Sequence, residues 1–229
     1  MEFTKLSNRL DLVASFVPAG ARLLDVGSDH AYLPIALLQE GKIEAAIAGE
    51  VVEGPYQSAL QNVADNGLED KIEVRLANGL AAFEPTDCIS CITIAGMGGR
   101  LIADILAAGL EKLASVSRLV LQPNNREDEL RAWLVDHDFR IVDEAILEEN
   151  EKFYEILVVE QGSQELSAKE LRFGPYLMRE QAPAFVQKWS KEVEKLAFAL
   201  EQVPVENQSA RASLEERISH IKEVLHVSK

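Results

Sequence analysis

Short apolar runs alternate with amphipathic helical stretches over the first 160 residues of the chain. This alternation is typical of a parallel β-sheet with helices on its faces. It predicts seven strands, at 22–26, 44–51, 72–77, 88–95, 118–121, 140–147 and 153–159. The predicted helices are an opening helix that stops at Pro18-Ala19-Gly20, three helices over about 31–40, 55–67 and 127–136, and a helix after the fourth strand that buries Leu101, Ile105 and Leu110.

The last two predicted strands are joined by only about five residues, 148–152. A parallel pair needs a crossover of a dozen or more residues, so this pair is expected to be an antiparallel hairpin at the edge of the sheet.

The strand pattern ends after Gln161-Gly162-Ser163. Apolar residues then recur at alternating steps of three and four, the spacing of a coiled-coil seam, at Val186, Trp189, Val193, Leu196, Leu200 and Val203. After a break at 204–208 a second stretch repeats the spacing at Leu214, Ile218, Ile221 and Leu225. We therefore expect an α/β domain over 1–162 and a C-terminal antiparallel coiled-coil helical domain over 163–229. Trp189 and Leu200 are expected to be seam residues rather than a platform for stacked bases.

The composition is that of a globular protein, with 47% hydrophobic and 27% charged residues. No apolar run reaches about 18 residues, so no membrane partner is expected. The start, MEFTKLSNRL, lacks the pattern of a secretory signal, which predicts a cytoplasmic location.

The formal net charge of −15 at first argues against a polyanionic partner. The charge is unevenly distributed, however, because residues 161–229 contain ten basic and ten acidic residues and are neutral. All of the excess acid therefore belongs to residues 1–160, which again suggests two domains.

Cys88 and Cys91 are the two cysteines of the chain. Their odd separation on the predicted fourth strand would direct them to opposite faces of the sheet, and a single CxxC cannot form a four-cysteine zinc site. We expect structural core thiols and no metal site.

Three polar features follow three successive strands. The turn after the first strand retains one glycine of a dinucleotide fingerprint, Gly27, and carries Asp29, whose carboxylate would repel a pyrophosphate and favour a cationic ligand. Glu50 lies 23 residues after Gly27, near the offset at which an acid binds ribose hydroxyls. Asn78-Gly79 follows the third strand, where the amide would meet an adenine amine, although an ordinary turn is at least as good an interpretation.

These three strand ends and the terminal hairpin resemble the Rossmann-like class I methyltransferase fold, which uses S-adenosylmethionine. Four segments are more specific: DVGSDHAYLP at 25–34, IAGMGG at 94–99, LQPNN at 121–125 and FGPYL at 173–177. Together they resemble the bacterial tRNA (adenine-22, N1)-methyltransferase family over nearly the whole chain. The resemblance implies S-adenosylmethionine as cofactor, methylation of N1 of an adenine in the D-arm of tRNA, and tRNA rather than DNA as partner, with a monomer or weak dimer expected.

The resemblance implies cofactor roles for Asp25, Gly27, Glu50 and Asn78, and the positions of further residues in the same turns and in the tail make them candidates too. The residues expected to bind the cofactor are Asp25, Gly27, Ser28, His30, Glu50, Val51, Asn78, Gly79, Ala95 and Gly96. Those expected to bind the substrate are Tyr32, Met97, Gly98, Gly99, Gln122, Asn124, Asn125, Arg172, Arg179 and Lys188. Adenine-N6 methyltransferases carry an Asn/Asp-Pro-Pro-aromatic tetrapeptide where this chain has Gly96 to Gly99, so its absence argues against that type of amine chemistry.

Asp29 is the candidate catalytic residue, because a carboxylate would stabilise the cationic methylated base or accept a proton from N6. Its alternative roles are to bind the methionine ammonium or to cap the following helix. The tail cations Arg172, Arg179, Lys188, Lys191 and Lys195 fit either a solvated face or a stripe that follows phosphates. Two other functions stay open: a methyltransferase of a protein or small molecule whose coiled coil dimerises, and a non-enzymatic adaptor on the same scaffold.

Overall fold

The computed structural model describes residues 4–226 of the chain, so the first three residues of the first predicted domain and the last three of the second lie outside the described residues. One sheet contains seven strands: β1 (Ala21–Val26), β2 (Ile43–Glu50), β3 (Ile72–Leu76), β4 (Cys91–Met97), β5 (Arg118–Pro123), β6 (Phe139–Glu149) and β7 (Lys152–Gln161). Their order is β3-β2-β1-β4-β5-β7-β6, and β7 is antiparallel to both of its neighbours. The predicted Rossmann-like seven-stranded sheet is confirmed.

The helices of the first 162 residues lie on the two faces of this sheet. They are α1 (Asn8–Phe16), α2 (Tyr32–Gln39), α3 (Glu53–Asp65), α4 (Gly99–Ala107) and α5 (Glu127–Asp136). Two buried apolar clusters, one containing Leu24 and Ile102 and the other Leu23 and Leu37, include alternate residues of β1. Successive side chains of a strand point to opposite faces, so each cluster covers one face of the sheet.

The predicted edge hairpin is confirmed, with longer strands than the sequence indicates. β6 and β7 pair from Phe139–Gln161 to Glu149–Lys152. Only Asn150 and Glu151 remain for the turn, and both have positive φ, 52° and 64°. A two-residue turn of this kind matches the natural twist of paired strands, which explains why the hairpin closes so tightly.

The predicted buried face of α4 is confirmed only for Ile105, which is half-buried against the core, and is wrong for Leu101 and Leu110. Leu101 is 52% exposed and Leu110 lies beyond the end of the helix, whereas Ile102 and Leu106 are fully buried. Apolar residues four apart occur both at Leu101 and Ile105 and at Ile102 and Leu106. The periodicity of the sequence therefore does not show which of the two pairs faces the core. The close packing of Gly99, whose added Cβ would lie 2.5 Å from the Arg126 carbonyl oxygen, selects the second face.

The prediction that Cys88 and Cys91 share a strand is also wrong. β4 begins at Cys91, which is buried, and Cys88 is an exposed residue with φ 55° at the end of a short 3₁₀ turn. Burial raises the pKa of the Cys91 thiol to about 12, so Cys91 is the core thiol of the pair.

The tail consists of α6 (Ala168–Phe173), α7 (Pro175–Glu180), α8 (Pro183–Gln202) and α9 (Gln208–His226). Arg211 donates to the Leu200 carbonyl, and Arg217 pairs with Glu192 at 3.6 Å, so α8 and α9 run antiparallel as predicted. A supercoil of the two helices stays a prediction.

The tail packs on the edge of the sheet. Trp189, Leu196 and Ile221 are buried in one apolar cluster with Ile146 of β6, and Phe153 of β7 packs against it. The domain boundary at 162/163 stays a prediction, because this cluster crosses it. Among residues 4–226, no helix combines the length and the apolar character that crossing a bilayer requires.

Candidate active site

The turn after β1 is tied to the neighbouring strand by a buried carboxylate. Asp25 is 4% exposed and accepts hydrogen bonds from the hydroxyls of Ser28 and Thr93, both at 2.6 Å. Burial raises the pKa of Asp25, and the two hydroxyl donors lower it. The side chain therefore holds the turn against β4.

The backbone of this turn adopts an unfavourable conformation. Gly27 has φ 67°, and Asp29, His30 and Ala31 follow with φ 41°, 70° and 59°. Non-glycine residues rarely enter this region, and such strain concentrates at functional sites. A Cβ added at Gly27 would overlap the end of the flexible Met97 side chain, which would have to move, and the positive φ itself favours glycine there.

Asp29 lies at the mouth of a cavity and does not cap the next helix. Its side chain is 83% exposed, and the residue at the N-cap of α2 is Ala31, with no side-chain capping bond. The capping role left open by the sequence is therefore excluded. The His30 ring stacks on Tyr32 beside it, with centroids 5.3 Å apart.

Glu50 ends β2 beside this turn. It is 5% exposed and accepts a hydrogen bond from the backbone N–H of Asp29. Burial raises the pKa of Glu50, the Asp29 donor lowers it, and the charges of Asp25 and Asp29 raise it further. A hydrogen bond therefore joins Asp29, after β1, to Glu50 at the end of β2, as expected for two site residues on neighbouring strands.

A cavity of about 270 Å³ opens at these strand ends. It is lined by Arg9, Leu10, Asp25, Gly27, Ser28, Asp29, Tyr32, Leu33, Ala95, Gly96 and Met97. Eight of these residues are predicted site residues. Arg9 and Leu10 of α1 were missed, because no local pattern marks a helix residue that reaches the site only by tertiary packing.

Gln122 organises the other wall of the cavity. Its side chain is fully buried, and its Oε1 accepts from Arg9 Nη1 at 2.5 Å and from the Gly96 N–H at 3.0 Å. Its Nε2 donates to the Pro123 carbonyl and to Asn124 Oδ1. Asn124 in turn donates to the Gly96 carbonyl at 2.7 Å. Gln122 and Asn124 therefore position the turn after β4 rather than project freely towards a substrate.

The remaining glycines of that turn make close contacts with the loop after β5. The Gly99 N–H donates to the Asn125 carbonyl at 2.9 Å, and an added Cβ on Gly98 would lie 3.1 Å from Asn125 Oδ1. The IAGMGG and LQPNN segments, separate in sequence, thus form one structure at the carboxyl ends of β4 and β5.

Besides His30 and Glu50, three predicted cofactor residues lie outside the lining of the cavity, at strand ends. Val51 follows β2 and is 59% exposed, and Asn78 follows β3 and is exposed. Gly79 has φ 54°, and its added Cβ would lie 2.9 Å from Ile105. All three occupy the edge of the sheet that carries Glu50.

A second, larger depression of about 890 Å³ separates this edge from the tail. We call it the interdomain groove; it is lined by Asn124, Asn125, Glu127, Lys152, Phe153, Tyr154, Arg172, Lys188, Trp189, Lys191, Glu192 and Lys195. Asn124, Asn125, Arg172 and Lys188 are predicted substrate residues. Arg179 does not line it and lies over the Tyr176 ring, 4.7 Å from its centroid.

Lys188 belongs to a buried ion network that the sequence did not reveal. Arg131 is fully buried and pairs with Glu144 at 2.7 Å and with Glu155 at 2.6 Å. Lys188 pairs with Glu155 at 2.7 Å and with Glu127 at 2.9 Å. The network joins α5, β6, β7 and α8, and it fixes the tail against the sheet.

The same network explains the FGPYL segment. Gly174 has φ 83°, and an added Cβ would lie 2.7 Å from a Glu144 oxygen and 2.8 Å from Arg131 Nη2. The Tyr176 N–H donates to the same Glu144 oxygen, Oε2, at 2.9 Å. Gly174 and Tyr176 therefore connect α6 and α7 to the sheet.

The donor set of the smaller cavity suits S-adenosylmethionine. The carboxylates of Asp25 and Asp29 favour a cation, Glu50 beside them is placed to accept from ribose hydroxyls, and Arg9 offers a positive charge. At Gly27 the terminal methyl group of Met97 occupies the space that a Cβ would fill. No cluster of three or more His, Cys, Asp or Glu side chains suited to a metal occurs within residues 4–226.

Comparison with known proteins gives a consistent result. The model of the tRNA (adenine(22)-N(1))-methyltransferase family matches residues 23–223. The tRNA (adenine(22)-N(1))-methyltransferase of Bacillus subtilis (strain 168) is 41% identical, with 98% of this chain and 99% of that protein covered. The Streptococcus pneumoniae protein Sp1610, solved in complex with S-adenosyl-L-methionine, is 67% identical, with a TM-score of 0.90 over 97% of this chain and all of that one. The TrmK of M. capricolum, solved with S-adenosyl-homocysteine, is 29% identical, with a TM-score of 0.84 over 98% and 99% of the two chains.

Proposed function

The chain belongs to the tRNA (adenine(22)-N(1))-methyltransferase family, and on that premise we propose that it transfers the methyl group of S-adenosylmethionine to N1 of adenine 22 in the D-arm of tRNA. The observation that carries the proposal is the union of the DVGSDHAYLP, IAGMGG and LQPNN segments around one cavity and one groove at the carboxyl edge of the sheet.

The cofactor supplies an electrophilic methyl group on a sulfonium. In the proposed arrangement Asp25 and Ser28 hold the turn after β1, and Glu50 accepts from the ribose hydroxyls. Gly27, Ala95 and Gly96 let the backbone approach the ligand. His30, Val51, Asn78 and Gly79 border the end that receives the adenine of the cofactor.

The target base is proposed to lie on the turn formed by Met97, Gly98 and Gly99, with Tyr32 and Asn125 beside it. N1 of adenine has a lone pair, so alignment with the methyl group provides most of the acceleration. The lone pair forms the new N–C bond as the C–S bond breaks, and the methylated base becomes cationic. Asp29, at the cavity mouth, is proposed to stabilise that charge or to accept the N6 proton.

We propose that the enzyme acts as a monomer or weak dimer in the cytoplasm, where its tRNA substrate resides. Trp189, Leu196 and Ile221 of the tail are buried in the apolar cluster that the tail forms with Ile146 of the same chain, which supports a monomer. Sedimentation at micromolar concentrations tests this, and a stable dimer would contradict it.

Transfer of labelled methyl from S-adenosylmethionine tests the reaction. Unmodified tRNA with adenine at position 22 is expected to accept one methyl group per molecule, and the same tRNA with guanine there to accept none. Labelling of both transcripts, or of neither, would contradict the proposal. Labelling of protein or small molecules alone would favour another methyltransferase, and cofactor binding without any acceptor would favour an adaptor.

A further inference from the structure

The turn between β1 and α2 contains the longest run of non-glycine residues with positive φ within residues 4–226. Asp29, His30 and Ala31 have φ of 41°, 70° and 59°. In this region the Cβ of an L-residue crowds the following carbonyl oxygen, so each residue held there carries an energetic cost. Such a run persists only when the surrounding contacts fix it.

The first part of the turn is fixed by β2. The N–H groups of Gly27 and Ser28 both donate to the Gly49 carbonyl, at 2.9 and 3.3 Å. The Asp29 N–H donates to the carboxylate of Glu50. These three donors hold the entry to the left-handed run, and its later part needs a contact from elsewhere.

That contact comes from α3. Asn62 Nδ2 donates to the His30 carbonyl at 3.0 Å, across 32 residues of sequence. Among residues 4–225, Glu50 and Asn62 are the two side chains that form hydrogen bonds with the backbone of residues 29–31. Glu50 binds the Asp29 N–H and Asn62 binds the His30 carbonyl, so together they fix both ends of this dipeptide.

Asn62 is itself held in place. It is half-buried, and its backbone carbonyl accepts from the N–H and from Nδ2 of Asn66, at 3.2 and 2.8 Å. Asn66 Oδ1 accepts from Gln39 Nε2 of α2 at 2.8 Å. A donor that is already ordered loses little conformational entropy when it bonds, so Asn62 can offset part of the cost of the left-handed run.

The conformation of this run determines where the site residues lie. Asp29 and Tyr32 line the smaller cavity, whereas Asn62 does not, and the His30 ring stacks on Tyr32. Relaxation of the run would separate the Asp29 N–H from Glu50 and move Asp29 from the cavity mouth. A ligand that requires the ordered turn then binds with an affinity reduced by the fraction of molecules that have it.

We propose that Asn62 is a positioning residue for cofactor binding: it keeps residues 29–31 in the left-handed conformation and does not itself contact S-adenosylmethionine. The proposal rests on the proposed function only for the use of this cofactor, and it is independent of the methyl acceptor.

Asn62→Leu removes the donor at nearly constant size. Asn66→Leu is the matched control, because Asn66 is a half-buried amide at the end of the same helix and its side chain does not bond to the turn. In the full-length protein, calorimetry gives the dissociation constant for S-adenosylmethionine, and urea unfolding gives the stability.

Asn62→Leu is expected to raise the cofactor dissociation constant about fivefold, the effect of losing one neutral hydrogen bond. The kcat at saturating cofactor should stay near the wild-type value, because bound cofactor selects the ordered turn. Asn66→Leu should lose stability and keep the wild-type dissociation constant, since lower stability alone does not change binding by the folded protein.

Two further variants test the cause. Asn62→Asp keeps the shape of the side chain and places a carboxylate beside the His30 carbonyl, so it should raise the dissociation constant further. Glycine adopts positive φ without strain, so Asn62→Leu should raise the dissociation constant less in an Ala31→Gly background than in the wild type.

Wild-type dissociation constants in both Asn62 variants, or an equal increase in Asn66→Leu, would overturn the proposal. An equal fold-increase with and without Ala31→Gly would overturn it too, because Asn62 would then not act through the left-handed run. All of these results come from cofactor binding, so failure of the wild type to methylate tRNA would count against the proposed function alone.

Discussion

Gly27 shows how a single position combines a backbone requirement with a steric one. Its φ of 67° disfavours any side chain, and an added Cβ would overlap Met97. Gly41 has the same φ of 67° with nothing within 4 Å of its added Cβ, so it isolates the backbone effect.

Gly27→Ala and Gly41→Ala should therefore each lower the free energy of unfolding by about 1–2 kcal/mol, because alanine disfavours the left-handed conformation. Only Gly27→Ala should also weaken the binding of the cofactor. Urea unfolding and calorimetric titration with S-adenosylmethionine measure the two effects. Adding Met97→Ala should restore part of the affinity lost in Gly27→Ala. Equal cofactor affinity in the two single variants would show that the close approach at Gly27 is not needed.

Asp29 has two remaining candidate roles, and measuring kcat and the cofactor dissociation constant distinguishes them. If it stabilises the cationic base, Asp29→Asn should lower kcat about 100-fold or more and leave the cofactor dissociation constant unchanged. If it binds the methionine ammonium, the dissociation constant should rise instead. Asp65→Asn, an exposed carboxylate on α3, is the control for loss of charge. Wild-type values of both constants in Asp29→Asn would remove the residue from the site.

The strands and helices differ in how much of their role is encoded locally. The carboxyl ends of β1, β2 and β3 could be predicted because an apolar run followed by a polar turn is a local signal. The buried face of α4 could not, since two overlapping four-residue repeats compete and a contact between Gly99 and Arg126 decides between them.

Contacts between residues that are far apart in the sequence could not be predicted either. Arg9 on α1 reaches the cavity through Gln122, 113 residues away in sequence, and Arg131 meets Glu144 and Glu155 on two strands. In the sequence Arg131 is one charge on an amphipathic helix, with nothing to distinguish it from a solvated residue.

The buried ion network should make the junction of α5, β6, β7 and α8 sensitive to pH once it is broken. Arg131→Met leaves Glu144 and Glu155 buried without their main cation, and removal of one partner of a buried pair costs about 3–5 kcal/mol. The pKa of both carboxyls would then lie above that of the unfolded chain. Below the pKa of the unfolded chain both carboxyls are protonated in either state and do not destabilise the fold. As pH rises through their pKa in the folded protein, they become buried unpaired charges and stability is lost.

Urea unfolding of Arg131→Met should accordingly show a larger deficit relative to wild type at pH 8 than at pH 5. Combining it with Glu144→Gln and Glu155→Gln should remove most of the pH dependence. A deficit independent of pH would show that lost packing, rather than uncompensated charge, causes the destabilisation.

At the level of the whole molecule, the tail is attached to the sheet by both apolar and ionic contacts. Ile146 of β6 is buried with Trp189 and Ile221, and Lys188 binds Glu155 of β7. Removing residues 163–229 would expose this apolar surface and leave Glu155 with one cation fewer, so point variants test tRNA binding more cleanly than truncation does.

These contacts predict that the sheet and the tail unfold together, although the sequence divides them at 162/163. Scanning calorimetry should show one transition whose calorimetric and van't Hoff enthalpies agree. S-adenosylmethionine at 100 times its dissociation constant adds about 2.7 kcal/mol, which should raise the Tm of the whole transition by roughly 5–10 °C. Two transitions, of which the cofactor moves only one, would mean that the junction is too weak to couple the tail to the site, and the interdomain groove would then not be preformed.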